Sequence, residues 1–209
     1  MIESLWLTAS DGVRLDAELA LPDGPPRAGM VVCHPHPQFG GSMRTLVVQA
    51  LFDALAGHGI ACLRFDFRGV GRSAGTHTGG DAERLDVLAA VEALGERLEP
   101  TVPLVLAGWS FGGDMALSVA PERIAAWFGI APPLRYAHDL DVVAADPRPK
   151  LLALAEGDEV RAPSEVVAQV AGWANTHVEV LPGASHFFAG STGLLVGLAV
   201  GLAGELAQA

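Results

Sequence analysis

A chain of 209 residues, half of it hydrophobic and 18% charged, has enough apolar side chain for one packed core and is too apolar to be disordered. Its formal net charge of −11 argues against nucleic acid, which needs a basic face, and two cysteines without a Cys-x-x-Cys spacing give no disulfide framework. Met1-Ile2-Glu3-Ser4 has no basic region or signal-peptide core, so a cytoplasmic protein that does not enter a membrane is expected.

Leu5 and Leu7, then Val13, Leu15, Ala17 and Leu19, alternate with polar residues across Asp11-Gly12 and predict an antiparallel hairpin. Asp23-Gly24-Pro25-Pro26 breaks it. Gly29–Cys33 is a continuous apolar run, as in a strand buried on both faces, and His34–Gly41 with its two prolines is a loop. Ser42 is expected to cap a helix reaching about His58, where Gly59 stops it. Ile60–Phe67 predicts the next strand, and a Gly-rich loop leads to a helix over about Asp81–Leu98 with Leu85, Leu88, Val91 and Leu94 on one stripe.

Leu104–Ala107 and Ile124–Ile130 read as strands, with a helix opening at Asp114 between them. Ala131–Arg148 reads as irregular. Lys150–Ala155 is a strand, Pro163–Ala174 a helix, His177–Leu181 a strand and Ala189–Ala207 the last helix. Strands alternating with helices after an initial hairpin predict a single α/β domain over residues 1–209. It is doubly wound: a mostly parallel sheet with helices on both faces.

Chemistry enters at Gly108-Trp109-Ser110-Phe111-Gly112. A strand before it and a helix after it are the setting in which Gly-x-Ser-x-Gly forms a nucleophile elbow. Gly71-Arg72-Ser73-Ala74-Gly75 matches the same pattern but sits in a loop, so Ser110 is the candidate nucleophile and Ser73 a loop serine. A serine hydroxyl needs a base, and the base needs an orienting acid. In the elbow architecture these follow in the order Ser, Asp/Glu, His, each after a later strand. Glu156, Asp158 and Glu159 follow one strand, and His186 follows the next. Asp158 is preferred, because Gly157 permits a tight turn before it, with Glu156 second. His177 lies at the wrong end of its strand, while His77 and His138 fall in loops and are expected to be solvated.

The developing oxyanion needs two N–H donors. One is Phe111, after the nucleophile; the other comes from His34–Gly41, where Pro35 and Pro37 have none, and His36 is preferred by position. His34 and His36 have no third ligand nearby, so no metal and no cofactor are expected. Phe39, Trp109, Phe111, Phe187 and Phe188 are candidate pocket wall, Phe187 with an equal claim to the core.

Taken together these segments resemble the α/β-hydrolase superfamily, and within it a small branch of predicted serine hydrolases without a lid. The pattern runs through His34-Pro35-His36-Pro37, Gly40-Gly41-Ser42-Met43, Leu63–Ser73, Gly108–Gly113, Gly157-Asp158-Glu159 and Pro182–Phe188. The resemblance implies a Ser110–Asp158–His186 triad and makes Asp66, Arg68 and Ser73 scaffold for the loop beside it. The expected activity is hydrolysis of a small or medium ester or thioester, since Ala131–Arg148 is too short for a large cap. The alternatives are a non-catalytic binding protein on the same fold and an acyltransferase using the same triad.

The last helix has no charged residue before Glu205, and Gly193, Gly197, Gly201 and Gly204 recur along it. Leu195, Leu198 and Leu202 are expected to face the sheet. The glycine face is expected to meet a second copy of the chain, giving a homodimer.

Overall fold

The N-terminal alternation becomes a hairpin in the computed structural model, which describes residues 1–208. β1 (Ile2–Thr8) pairs antiparallel with β2 (Arg14–Ala20), setting Leu7 opposite Leu15 and Leu5 opposite Ala17. β2 in turn pairs antiparallel with β4 (Ile60–Phe65). Every later pairing is parallel and joins β3 (Ala28–Cys33), β4, β5 (Leu104–Trp109), β6 (Ala126–Ile130), β7 (Lys150–Gly157) and β8 (Thr176–Ser185). The eight strands lie in the order β1-β2-β4-β3-β5-β6-β7-β8.

Two cores cover the sheet. α1 (Leu46–Leu55) and α6 (Thr192–Leu206) bury Val48, Leu51, Leu195 and Ala199 against Met30, Val105 and Phe128. α2 (Glu83–Arg97), α3 (Phe111–Ala116) and α5 (Pro163–Val170) bury Val87, Leu94, Met115 and Val166 against Val31, Leu106 and Leu152. Strands buried on both faces explain the unbroken apolar runs. After β3 the chain passes to the α1 face, and after β5 to the α3 face. The carboxyl ends of these neighbouring strands therefore flank the crevice where ligands bind in doubly wound sheets.

Most elements end within a few residues of the sequence reading, and the differences that bear on the site or the topology are these. α1 starts at Leu46 after Thr45, and Ser42 forms a turn in which its Oγ accepts the Arg44 N–H at 3.2 Å. A short helix, α4 (Leu140–Ala145), lies inside the segment expected to be irregular and is anchored by buried Val143. β7 and β8 run beyond their apolar runs. Their pairing crosses a bulge between Ala155 and Gly157 and ends with Gly157 opposite Ser185. Asp158 and His186 are thus the first residues past the same rung.

On α6, Leu195, Ala199 and Leu202 are buried, whereas Leu198 is only partly so. The face of Gly193, Gly197 and Gly201 is open: a Cβ at any of them would meet nothing within 4 Å. Among the described residues no helix is long and apolar enough to cross a membrane. Cys33 and Cys62 are free and buried.

Candidate active site

The turn after β5 is compressed. Ser110 has φ 55 and ψ −121, a conformation that a non-glycine residue adopts only at a cost. Its N–H donates to Ile130 O at 2.8 Å, which ties the turn to β6. A Cβ on Gly108 would run into the Gly112 backbone, and one on Gly112 into Cys33 O, so both glycines are required by close approach. The result lifts the Ser110 side chain to the floor of a cleft of about 480 Å³.

Three of the sequence-derived candidates meet there. Ser110 Oγ lies 2.9 Å from His186 Nε2. His186 Nδ1 lies 3.0 and 2.9 Å from the two oxygens of Asp158. Asp158 Oδ1 also accepts the N–H groups of Val160 at 2.8 Å and Arg161 at 3.1 Å. Burial by itself would raise the Asp158 pKa; His186 and these N–H groups outweigh it and hold the carboxyl below its ordinary value. The competing acids have other work. Glu156 accepts the Gly183 N–H at 2.8 Å, and Glu159 accepts the His186 N–H at 3.1 Å, so both hold the loop that carries the histidine.

Trp109 is nearly buried, and its indole N–H donates to His186 O at 3.0 Å. It fixes the histidine loop as well as lining the cleft. Phe187 is 54% exposed, with its ring against Trp109 and His186, so the core reading does not hold. Phe39 lines the cleft although it is 82% exposed, whereas Phe111 and Phe188 are fully buried and do not line it.

The β3 loop turns through His36, whose Nδ1 accepts the Gln38 N–H at 3.2 Å and whose carbonyl accepts from Phe39 and Gly41 at 3.0 Å each. Neither His36 N–H nor Phe111 N–H finds an acceptor among the described residues. The His36 ring packs on Phe111 at 4.9 Å and on His77 at 4.9 Å. His77 is therefore not the solvated loop residue expected. It also approaches buried Glu83 at 2.9 Å, a distance suited to an ion pair but off the direction of a hydrogen bond.

His34 is fully buried, and both ring nitrogens are engaged. Nδ1 meets Pro35 O at 2.6 Å, and Nε2 accepts the Phe67 N–H at 3.0 Å, so neither is free for a metal. Burial pushes its pKa down to about 4. The unfolded chain therefore binds the proton first as pH falls, and the contribution is complete above about 6.5 and lost toward 4, worth about 3 kcal/mol. Chemical denaturation from pH 7 to 4 should show wild type losing about that much more stability than His34→Gln. Asp114, raised to about 6 by burial, acts with the opposite sign and cancels in this difference because both proteins carry it.

Ser73 is scaffold in geometry. Its Oγ donates to Asp66 O at 2.6 Å and accepts the Asp16 N–H at 2.9 Å, while Asp66 accepts the Met43 N–H at 2.7 Å and Arg68 pairs with buried Asp86. The sequence reading missed one whole wall of the cleft: Pro133, Arg135 and Tyr136 after β6, and Val160 after β7. Buried Asp114 clamps that wall by accepting the N–H groups of Leu134, Arg135 and Tyr136 at 2.7, 3.0 and 2.8 Å. An acid four residues after Ser110 was the available signal.

The family model described as "Serine aminopeptidase, S33" matches residues 24–155, which include Ser110 and end short of Asp158 and His186. An α/β serine hydrolase without a lid from Xanthomonas campestris superimposes with TM-score 0.84 at 32% identity, covering 97% of this chain and 93% of its own. An α/β serine hydrolase homologue from Coxiella burnetii gives 0.81 at 31%, covering 96% of each. The Rickettsia prowazekii protein RP471 is 29% identical over 84% of this chain and 78% of its own length.

Proposed function

The chain belongs to the serine aminopeptidase S33 family of the α/β-hydrolase superfamily, and from that premise we propose that it cleaves small or medium esters or thioesters through an acyl-enzyme on Ser110. The observation that carries the reading is the continuous hydrogen-bonding path from Ser110 Oγ through His186 to Asp158 at the floor of an open cleft. Ser110 Oγ attacks the carbonyl carbon while His186 Nε2 takes its proton. The Asp158 carboxylate holds the imidazole and stabilises the imidazolium. The N–H groups of Phe111 and His36 receive the oxyanion, and neither has to give up a protein acceptor to do so. His186 then protonates the leaving alcohol or thiol, and water, activated by the same histidine, releases the acid. No cofactor or metal is needed.

The lid-less cleft, with Trp109 and Phe187 as apolar wall, suits a short acyl chain. A fluorophosphonate that modifies Ser110, together with p-nitrophenyl esters and acyl thioesters of graded length, tests the reading. Failure of Ser110 to label ends it.

The reading takes the protein to be cytoplasmic, and we infer that it pairs through α6. The open glycine face supports the pairing, since glycines four apart cost helix stability unless another helix approaches closely. Light scattering at micromolar concentration should give a dimer for wild type and a monomer for Val200→Glu. A wild-type monomer ends that inference.

A further inference from the structure

Acidic residues outnumber basic ones 24 to 13, and eight of the twelve arginines pair with a carboxylate. Arg135 does not. It is exposed on the cleft wall beside Tyr136 and Val160 and forms no ion pair among the described residues. One guanidinium nitrogen, Nη2, donates to Val160 O at 3.3 Å, and the others meet no acceptor among the described residues. The cleft lining includes no aspartate or glutamate. In so acidic a chain, the cleft lining therefore presents one arginine outside any ion pair; the buried Asp114 carboxylate is within electrostatic reach of it but is itself engaged by three main-chain N–H groups.

The main chain that carries Arg135 is held in place. Ala131 and Leu134 carry φ of 42 and 53, which non-glycine residues adopt only where the surroundings enforce it. The enforcement comes from fully buried Asp114, with its three N–H donors at residues 134 to 136, and from Arg161, whose Nη1 donates to Pro133 O. The loop that carries Arg135 is thus pinned to α3, the helix that begins at the nucleophile. An arginine free in solvent needs no such support.

We propose, resting on the hydrolase reading above, that the substrate carries an anionic group, a carboxylate or a phosphate, away from its scissile carbonyl, and that Arg135 receives it. Arg135 offers a planar fork of N–H donors suited to either group, and the apolar remainder of the cleft takes the chain between the two ends.

The test uses three fluorophosphonates with the same alkyl chain: one ending in a carboxylate, one in its methyl ester and one in a phosphonate. Second-order rates of Ser110 labelling are measured near physiological salt. Wild type should label at least one anionic probe faster than the neutral one, although a net charge of −11 would by itself favour the reverse. The anionic-to-neutral ratio should fall about tenfold or more in R135Q, less in R135K, and stay unchanged in R97Q, which makes the same charge change at a remote exposed site. The anionic tail with the larger ratio identifies the group. If Ser110 labels but wild type prefers the neutral probe over both anionic tails, or R135Q keeps the wild-type ratio, the anionic-substrate inference is overturned and the hydrolase reading stands. If no probe labels wild type, the hydrolase reading falls and takes this inference with it.

Discussion

Ser110→Ala should lower ester turnover by on the order of a million-fold and remove fluorophosphonate labelling, because a nucleophile and its base act as one unit. Folding should survive. The main chain at Ser110 is held by its N–H to Ile130 O and by its carbonyl, which accepts from Asp114, and alanine keeps both. What disappears is the Oγ partner of His186 Nε2, at a cleft open to water, so denaturant stability should change by only about 1 kcal/mol. The nearest rival in sequence, Ser73, has its hydroxyl engaged on both sides and should remain unlabelled in the variant. Turnover surviving in purified Ser110→Ala, or a label mapped to Ser73 by mass spectrometry, would overturn the assignment.

The arrangement around Ser110 was legible because it is local. Strand, glycine, serine, glycine and helix lie within a dozen residues, and each glycine is demanded by a backbone contact inside or next to that stretch. The sheet was legible for a similar reason, since strands buried on both faces leave unbroken apolar runs. The start of α1 was not. Ser42 and Thr45 both suit a helix N-terminus, and only the folded backbone shows that the turn at Ser42 comes before the helix. The acid needed the register of β7 against β8, where a bulge shifts the pairing by two residues, from Ala155 opposite Leu181 to Gly157 opposite Ser185, and no composition rule reveals a bulge. His77 reads as a solvated loop residue because its contacts with Phe111 and His36 are distant in sequence. The wall around Arg135 was hidden most completely. Its residues follow no period, and their positions are set by a carboxylate on another element.

Asp158→Asn should cost turnover on the order of ten-thousand-fold while leaving the fold and the Ser110 main chain unchanged, and the hydrogen-bond geometry explains why the substitution is so damaging. Oδ1 of Asp158 accepts the N–H groups of Val160 and Arg161 as well as facing His186. In the variant that pair of donors holds the amide oxygen at the Oδ1 position. The amide nitrogen must then occupy the Oδ2 position, 2.9 Å from His186 Nδ1 in the wild type. An amide NH₂ can only donate, so Nδ1 has to accept and the ring proton moves to Nε2. Nε2 then points an N–H at Ser110 Oγ and cannot take its proton. Rotating the amide to restore the wild-type tautomer would turn its NH₂ against the two backbone donors. Glu156→Gln and Glu159→Gln should cost far less, because an amide oxygen still accepts the Gly183 or His186 N–H that each acid now holds. The three variants, compared by kcat/KM on one p-nitrophenyl ester and by thermal unfolding, separate the roles. Near-wild-type turnover in Asp158→Asn alongside collapse in Glu156→Gln would assign the orienting acid to Glu156 instead.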